Sequence, residues 1–255
     1  MQTPHSYRKG IPFFYDKSAS EFSRDRYERY DDLVKRQIFI HLTSQLSNAY
    51  HAQGILNFVI RNLSLPSGAK VVELGCSVGR LIGSLASVHS EVDFWGLDYS
   101  YQLVKAANDF WVQGKDVLVD TTDRGFEARM IQGQTLKNLQ FGLAMAEALP
   151  FEDQTQDVVL SSFLLERLQN PVIALEEMYR VLKIGGQMIM ITPLNFTEAI
   201  HWRELYPVDK IRFQLMRIGF DIVKYNDQIM VKEPLDVHGN AIMWKCIGLV
   251  CRKLK

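Results

Sequence analysis

The stretch Val71-Val72-Glu73-Leu74-Gly75-Cys76-Ser77-Val78-Gly79-Arg80 decides how the rest of this chain is read. Lys70 to Leu74 is short, apolar and β-branched apart from one acid, the composition of a buried parallel strand. Gly75 follows at once, Gly79 and Gly83 come after it, and from Gly79 to Val88 the residues favour helix. Strand, glycine turn and helix start together make a ligand site, because unpaired helix N–H groups point beyond the strand's carboxyl end. A glycine at position 75 lets backbone approach a ligand with no side chain between them. The Glu73 carboxylate beside that turn repels a phosphate and attracts a cationic group. A turn used only for packing carries the same glycines, so the partners of this stretch elsewhere in the chain have to separate the two readings.

At 255 residues the chain fits one α/β domain with an appendage, or two small domains, and its 47% hydrophobic and 23% charged residues are those of a globular protein. Basic and acidic residues balance at 29 each, without the lysine or arginine run that tracks a phosphate backbone, so no nucleic-acid partner is expected. Apolar runs such as Val158–Leu160 and Met188–Ile191 fall far short of the ~20 residues that span a bilayer, so no membrane insertion is expected. Met1 to Gly10 is polar and has no signal-peptide core. Cys76, Cys246 and Cys251 have neither disulfide-framework nor metal-site spacing; a cytoplasmic protein without a metal is expected.

Residues 1–17 carry Tyr7, Phe13, Phe14 and Tyr15 around Gly10 and Pro12 without periodicity, either a loose tail or a lid whose aromatics close over a substrate. From Ala19 to Leu46, Phe22, Tyr27, Tyr30, Leu33, Val34, Ile38 and Leu42 recur at helical spacing, with Ser20 or Ser23 as the cap. A second helix is predicted from Ala49 to Asn62, ended by Leu65-Pro66-Ser67-Gly68. Residues 1–66 thus read as an N-terminal helical cap or lid, and 67–255 as the core. Val92 to Asp98 is the next strand, and its terminal acid stands about twenty residues past the glycine turn, where a carboxylate can accept both hydroxyls of a ribose. Asp98 also suits a helix cap, and the two roles are compatible. Residues 111–138 form an insertion, with Val117–Val119 a short strand and 120–125 a loop near the site's rim.

Three further stretches match the first. Leu139–Ala144 is a strand leading into Met145-Ala146-Glu147-Ala148-Leu149-Pro150-Phe151, and Asp157–Phe163 is a central strand followed by Leu164-Leu165-Glu166-Arg167. Pro171–Leu182 is a helix with proline in its first turn, followed by the turn Arg180-Val181-Leu182-Lys183-Ile184-Gly185-Gly186 and the strand Gln187–Thr192. A helix from Val208 to Ile218 and strands at Asp221–Tyr225 and Ala241–Arg252 complete the chain.

In this order, E-L-G-C-S-V-G-R, Asp98, A-E-A-L-P-F, D-V-V-L-S-S-F and R-V-L-K-I-G-G resemble the motifs of class I S-adenosylmethionine-dependent methyltransferases. The chain is most similar to the small-molecule enzymes of quinone and secondary-metabolite pathways. The resemblance implies an α/β Rossmann-like fold. Its sheet has seven mostly parallel strands in the order 3-2-1-4-5-7-6, the last antiparallel, with helices on both faces. It implies S-adenosylmethionine as cofactor, S-adenosylhomocysteine as product, and Glu73, Gly75, Cys76, Gly79, Asp98 and Tyr99 as cofactor contacts. Met145, Ala146, Glu147 and Ser161 belong to the same set, although Met145 stands where the family has an acid for the adenine amino group, and Arg167 stands where it has a histidine.

A methyl group would pass in line to an oxygen, nitrogen or carbon of a small, partly apolar acceptor. Tyr15 and His201, with Tyr7, are the candidate bases by location alone. The protein would act as a monomer or homodimer. A catalytically silent module binding S-adenosylmethionine or S-adenosylhomocysteine is the alternative. A short-chain dehydrogenase is excluded because its Tyr101-x-x-x-Lys105 pair lies too early, on the helix after the second strand, and Glu73 would face a pyrophosphate.

Overall fold

The computed structural model describes residues 1–43 and 50–255. In chain order it begins with β1 (Ser6–Arg8) and β2 (Ile11–Phe13), then α1 (Ala19–Arg24), α2 (Arg26–Arg29), α3 (Asp31–Leu42) and α4 (Gln53–Asn62). The core continues with β3 (Lys70–Leu74), α5 (Arg80–Ala86), β4 (Asp93–Asp98) and α6 (Tyr101–Trp111). After β5 (Val117–Val119) and β6 (Arg129–Ile131) come β7 (Leu139–Leu143), β8 (Gln156–Ser162), α7 (Pro171–Val181) and β9 (Leu182–Thr192). The chain closes with α8 (Ala199–Leu205), α9 (Val208–Ile218), β10 (Phe220–Pro234) and β11 (Ala241–Lys253).

The sheet order β7-β4-β3-β8-β9-β11-β10 is the expected 3-2-1-4-5-7-6, with β11 antiparallel to both neighbours. Strand β3 lies at its centre between β4 and β8, so successive residues face opposite helical layers. Val71 joins the apolar layer under α4, α5 and α6, and Val72 and Leu74 the layer under α7 and α9.

The sheet is wider than seven strands, because the N-terminal segment is neither a loose tail nor a free lid. Lys9 and Gly10, both at positive φ, turn β1 back on β2, the mirror-image turn that suits a two-residue hairpin. Phe13 then pairs in parallel with Leu143, and Phe14 N–H donates to Leu143 O at 2.9 Å, covering the outer edge of β7. Three-residue strands are too short to leave a periodic signal.

The predicted single helix from Ala19 is three helices, interrupted at Asp25 and Tyr30 where the backbone turns extended. Its cap is Ser18, not Ser20 or Ser23: Ser18 and Glu21 form a reciprocal capping box. The predicted end at Leu46 and the predicted start of the next helix at Ala49 lie outside the described residues; the helix itself begins at Gln53.

Two more differences shape the site. Strand β10 is far longer than the expected Asp221–Tyr225, β11 runs over the expected span, and only Ile247–Arg252 of β11 pairs with β9. The distal part of this hairpin therefore overhangs the carboxyl end of the sheet as an arm. Its tip meets the 111–138 insertion, where Val237 N–H donates to Arg124 O at 3.1 Å. The insertion holds β5 and β6 as an antiparallel pair, and its Phe126 packs on Phe39 of α3 with ring centroids 4.9 Å apart. Of the Arg180–Gly186 stretch, Arg180 and Val181 end α7, and 183–186 are a bulge inside a strand pairing that begins at Leu182, not a turn ahead of it. No helix among the described residues is long and apolar enough to cross a membrane.

Candidate functional site

The carboxyl ends of β3, β4, β7 and β8 form the floor of a crevice, the place where open α/β sheets bind ligands. At its centre Gly75 takes φ +70°, a conformation that favours glycine, and a Cβ there would lie 3.0 Å from Leu164 Cδ1. Gly75 and Cys76 N–H both donate to Leu97 O, at 2.8 and 3.0 Å, drawing the turn onto β4. Gly79, also left-handed, caps α5. Behind the turn, Gly83 lies so close to the Trp111 ring that a Cβ would sit 2.4 Å from Cδ2; the indole N–H reaches Val78 O.

Glu73 lies underneath this turn. Its side chain is buried and Oε2 accepts from Ile82 N–H at 3.0 Å, so in this state the acid ties the glycine turn to the first turn of α5. Burial pushes its carboxyl up to about 8. Asp98 stands higher, at the mouth. Its oxygens accept from Ser77 N–H at 2.8 Å and Ser100 N–H at 2.9 Å, which clamps the tip of the glycine turn to the start of α6. A carboxylate offers about four acceptor positions, so Asp98 keeps capacity for ligand hydroxyls. Burial raises its pKa, the expected state of an acid without those partners.

Met145, Ala146 and Glu147 are half-buried along the next edge of the floor. The loop that carries them is anchored from below by Arg180 of the R-V-L-K stretch. Its guanidinium donates to Leu149 O and Phe151 O and pairs with Glu177 and Asp153. Glu147 accepts only a long bond from Asn170 N–H, at 3.4 Å. Ser161 is buried with its hydroxyl unpartnered among the described residues.

The roof comes from the cap. Lys17, fully buried at its side chain, places Nζ 3.8 Å from the Tyr99 ring centroid and donates to Tyr99 O and to Asp25, with Glu28 at 3.9 Å. Glu28 in turn accepts from Tyr101 N–H at 2.6 Å, capping α6 from another element. Burial, together with the charge of Asp98, raises the pKa of Tyr27. Gln37 of α3 accepts from Ser77 Oγ at 3.2 Å. None of these cap residues was identified from the sequence, because their partners lie dozens of residues away.

The candidate bases fall apart from one another. Tyr15 stacks near Tyr99 and donates to Glu21, a bond that pushes its phenol up to about 12 and makes it keep its proton. Tyr7 is exposed on β1. His201 is buried in α8 beside Phe196, with Nδ1 unpartnered among the described residues.

The residues present fit S-adenosylmethionine. Asp98 has open acceptor positions for the ribose, and Gly75 has the bare backbone that a ligand needs beside it. The half-buried Met145–Glu147 edge offers main-chain groups and an apolar face for a base.

Residues 72–190 match the family described as a methyltransferase domain. Among curated relatives, the chain is 38% identical over 90 residues to the ubiquinone/menaquinone biosynthesis C-methyltransferase UbiE of Hydrogenovibrio crunogenus, covering 34% of this chain and 35% of that one. It is 25% identical over 177 residues to a malonyl-acyl-carrier-protein O-methyltransferase of Marinomonas, covering 69% of this chain and 54% of that one. The chain thus spans about a third to a half of these relatives' length. Among solved structures, a chain of the complex between the Haloferax volcanii Trm112 methyltransferase activator and a methyltransferase superposes with a TM-score of 0.61. The identity is 17%, covering 91% of this chain and 99% of that one. The sheet order of this chain, its motif-bearing crevice and these likenesses agree: the core of this chain has the fold of class I S-adenosylmethionine-dependent methyltransferases, and residues 72–190 are similar to methyltransferase domains, those of quinone biosynthesis among them.

Proposed function

We propose that this chain transfers a methyl group from S-adenosylmethionine to an oxygen, nitrogen or carbon nucleophile of a small, partly apolar acceptor. The observation that carries the reading is the convergence of Gly75, Asp98 and Met145–Glu147 on one crevice at the carboxyl ends of three adjacent strands. When bound, the cofactor supplies an electrophilic methyl on a positively charged sulfur. The chain contributes the rest. Asp98 holds the ribose, the Gly75 turn admits the methionine end, and residues 1–66 act as a cap that excludes water and aligns the acceptor.

Glu73 has a part in this reading too. An ammonium or sulfonium above the turn favours its ionised form, so cofactor binding expels the proton that burial retains. One relative's name specifies C-transfer and the other O-transfer. A hydroxylated quinone-type ring, which offers both atoms, is therefore the first acceptor class to try. The test is calorimetric titration with S-adenosylhomocysteine of the wild-type chain, Gly75→Asp and Asp98→Ala. Saturable binding in the wild type and its loss in both variants supports the site; equal affinity in all three rejects it.

A further inference from the structure

Two aromatic rings that the cofactor reading does not use stand at the carboxyl end of β8. Phe163, the residue after that strand, meets Trp244 of the arm with ring centroids 5.9 Å apart and planes at 89°. The Trp244 indole N–H donates to Glu233 Oε2 at 2.9 Å, and the other oxygen of Glu233 is paired with Arg36 of α3. Phe163 takes φ +55°, a left-handed backbone that an aromatic residue rarely adopts. Its N–H donates to Ile191 O at 2.9 Å, which holds that conformation in place.

A circuit of contacts places this pair on the crevice. Leu164, next in the chain to Phe163, lies against Gly75, where a Cβ would be 3.0 Å from Leu164 Cδ1. On the other side Gln37, next in the chain to Arg36, accepts from Ser77 Oγ at 3.2 Å, and Ser77 N–H donates to Asp98 at 2.8 Å. Contacts thus run from the glycine turn through the end of β8 to the arm, from the arm to α3, and from α3 back to the turn. Every residue of that circuit is half-buried, while Cys76, Leu165 and Cys246 beside it are buried. Residues packed shut on one another would be buried like these neighbours. Half-burial all the way round is what the wall of an open chamber shows.

The strand order says which end of the chamber the rings occupy. The Met145–Glu147 edge follows β7 and Phe163 follows β8, three strand spacings away across β4 and β3, or about 14 Å. Asp98 and Gly75 fall between them. A cofactor with its ribose on Asp98 and its base on the Met145 edge therefore runs toward Phe163 with its methionine end, and the two rings stand beyond it. Their geometry selects a shape. Two rings at a right angle make a corner in which a third flat ring lies parallel to one and edge-on to the other, the arrangements that aromatic rings prefer. A saturated ring is thicker and has no π face to offer either of them.

We propose that Phe163 and Trp244 form the acceptor subsite, and that the acceptor they select carries a flat aromatic ring. This rests on the methyltransferase reading and deepens it by naming the class of molecule that enters. The ring pair packs on the acceptor's face and edge, and Glu233, held by Arg36, keeps the Trp244 indole in that pose. The same ion pair joins the arm to α3, so the two elements close over the ring together. Phe163 and Trp244 supply neither proton nor charge. They orient the nucleophile-bearing ring toward the methyl group and keep water from it.

The test is calorimetric titration of the full chain with 2-naphthol and, separately, with decahydro-2-naphthol, a hydroxylated bicycle of like outline without aromaticity. Both titrations are run on the unliganded chain and on the chain saturated with S-adenosylhomocysteine. The expected result is about tenfold tighter binding of 2-naphthol in both states, the scale of two aromatic contacts. Trp244→Leu and Phe163→Leu should each lower that preference to about threefold or less, and Trp244→Phe should keep most of it. Where one leucine variant fails to fold, the other decides. Equal binding of the two probes, binding of neither, or an undiminished preference in a folded leucine variant overturns the proposal. So does displacement of 2-naphthol by S-adenosylhomocysteine, which would put the ring where the cofactor's base sits. If S-adenosylhomocysteine does not bind, the methyltransferase reading fails instead, and the titrations of the unliganded chain and its variants still judge the ring pair.

Discussion

The floor of the crevice and its roof bury ionisable groups in opposite ways. Beneath the glycine turn an acid is held neutral: Glu73, pushed up to about 8 by burial, gives its oxygen to a backbone N–H. In the cap two histidines are held neutral, His41 pulled down to about 3 and His51 to about 4, both chiefly by burial. A cation placed on the floor would draw Glu73 toward its charged form, and an acidic hydroxyl placed in the cap would draw His51 toward its own. Each half thus holds its groups neutral by burial until a charge of the fitting sign is set beside them.

The largest test of this contrast is Gly75→Asp. A side chain at φ +70° and against Leu164 should remove S-adenosylhomocysteine binding by more than about a thousandfold, read by calorimetry, because the ligand's space is filled. The core should persist, with a loss of only about 1–2 kcal/mol in urea unfolding. If binding survives, the floor is not where the cofactor sits. A cap that loosens independently of the floor is the next test. Lys17→Met leaves Asp25 and Glu28 without their buried cation and should cost about 3 kcal/mol of cap docking. Hydrogen exchange should then rise across residues 1–43 and leave β3, β4 and β8 protected; uniform exposure would mean that the cap and core are one cooperative unit.

Gly83→Val tests the support beneath the floor. A side chain pressed into the Trp111 ring should cost about 2 kcal/mol, a fall of several degrees in Tm, with weakened cofactor affinity following from the displaced turn. The mildest test is a pH series on the unliganded chain. Glu73 keeps its proton in the folded chain from its ordinary 4.5 up to about 8, so its contribution is full below 4.5 and is lost as pH rises through that window. The histidines take up protons on unfolding below their ordinary 6.5, so their contribution is full above 6.5 and is lost as pH falls toward 4 and 3. These three groups together place maximum stability near 6.5, with a decline above it that stays below the ~1.4 kcal/mol per pH unit of one whole proton. Glu73→Gln should flatten the alkaline side and steepen the rise between 4.5 and 6.5, whereas His51→Phe should reduce the acid-side rise. Unchanged slopes in both variants would remove the contrast.

What was legible in the sequence is local and periodic. Lys70–Leu74 is a strand because its alternate residues fill two apolar layers, and Val208–Ile218 is a helix ended by a left-handed Gly219. The seven-strand order was implied by the family resemblance that the motifs carry, and Asp98 could be singled out from its distance beyond a glycine turn. The N-terminal hairpin, the breaks at Asp25 and Tyr30 and the length of β10 were not legible. Each depends on pairings between distant segments that no single window contains: Phe13 with Leu143, Lys17 with Asp25 below Tyr99, and Glu233 with Arg36.

The sequence by itself determined the α/β core and the crevice at its carboxyl end, because strand, glycine turn and helix are specified by residues adjacent in the chain. Only the tertiary structure decided what roofs that crevice and how its ionisable groups stand. It put Glu73 beneath the turn, turned Tyr15 to Glu21, and brought Trp244 of the arm onto Phe163. Burial and hydrogen-bond partnership govern protonation and acceptor geometry, and both are set by residues far apart in sequence that meet only when the chain is folded.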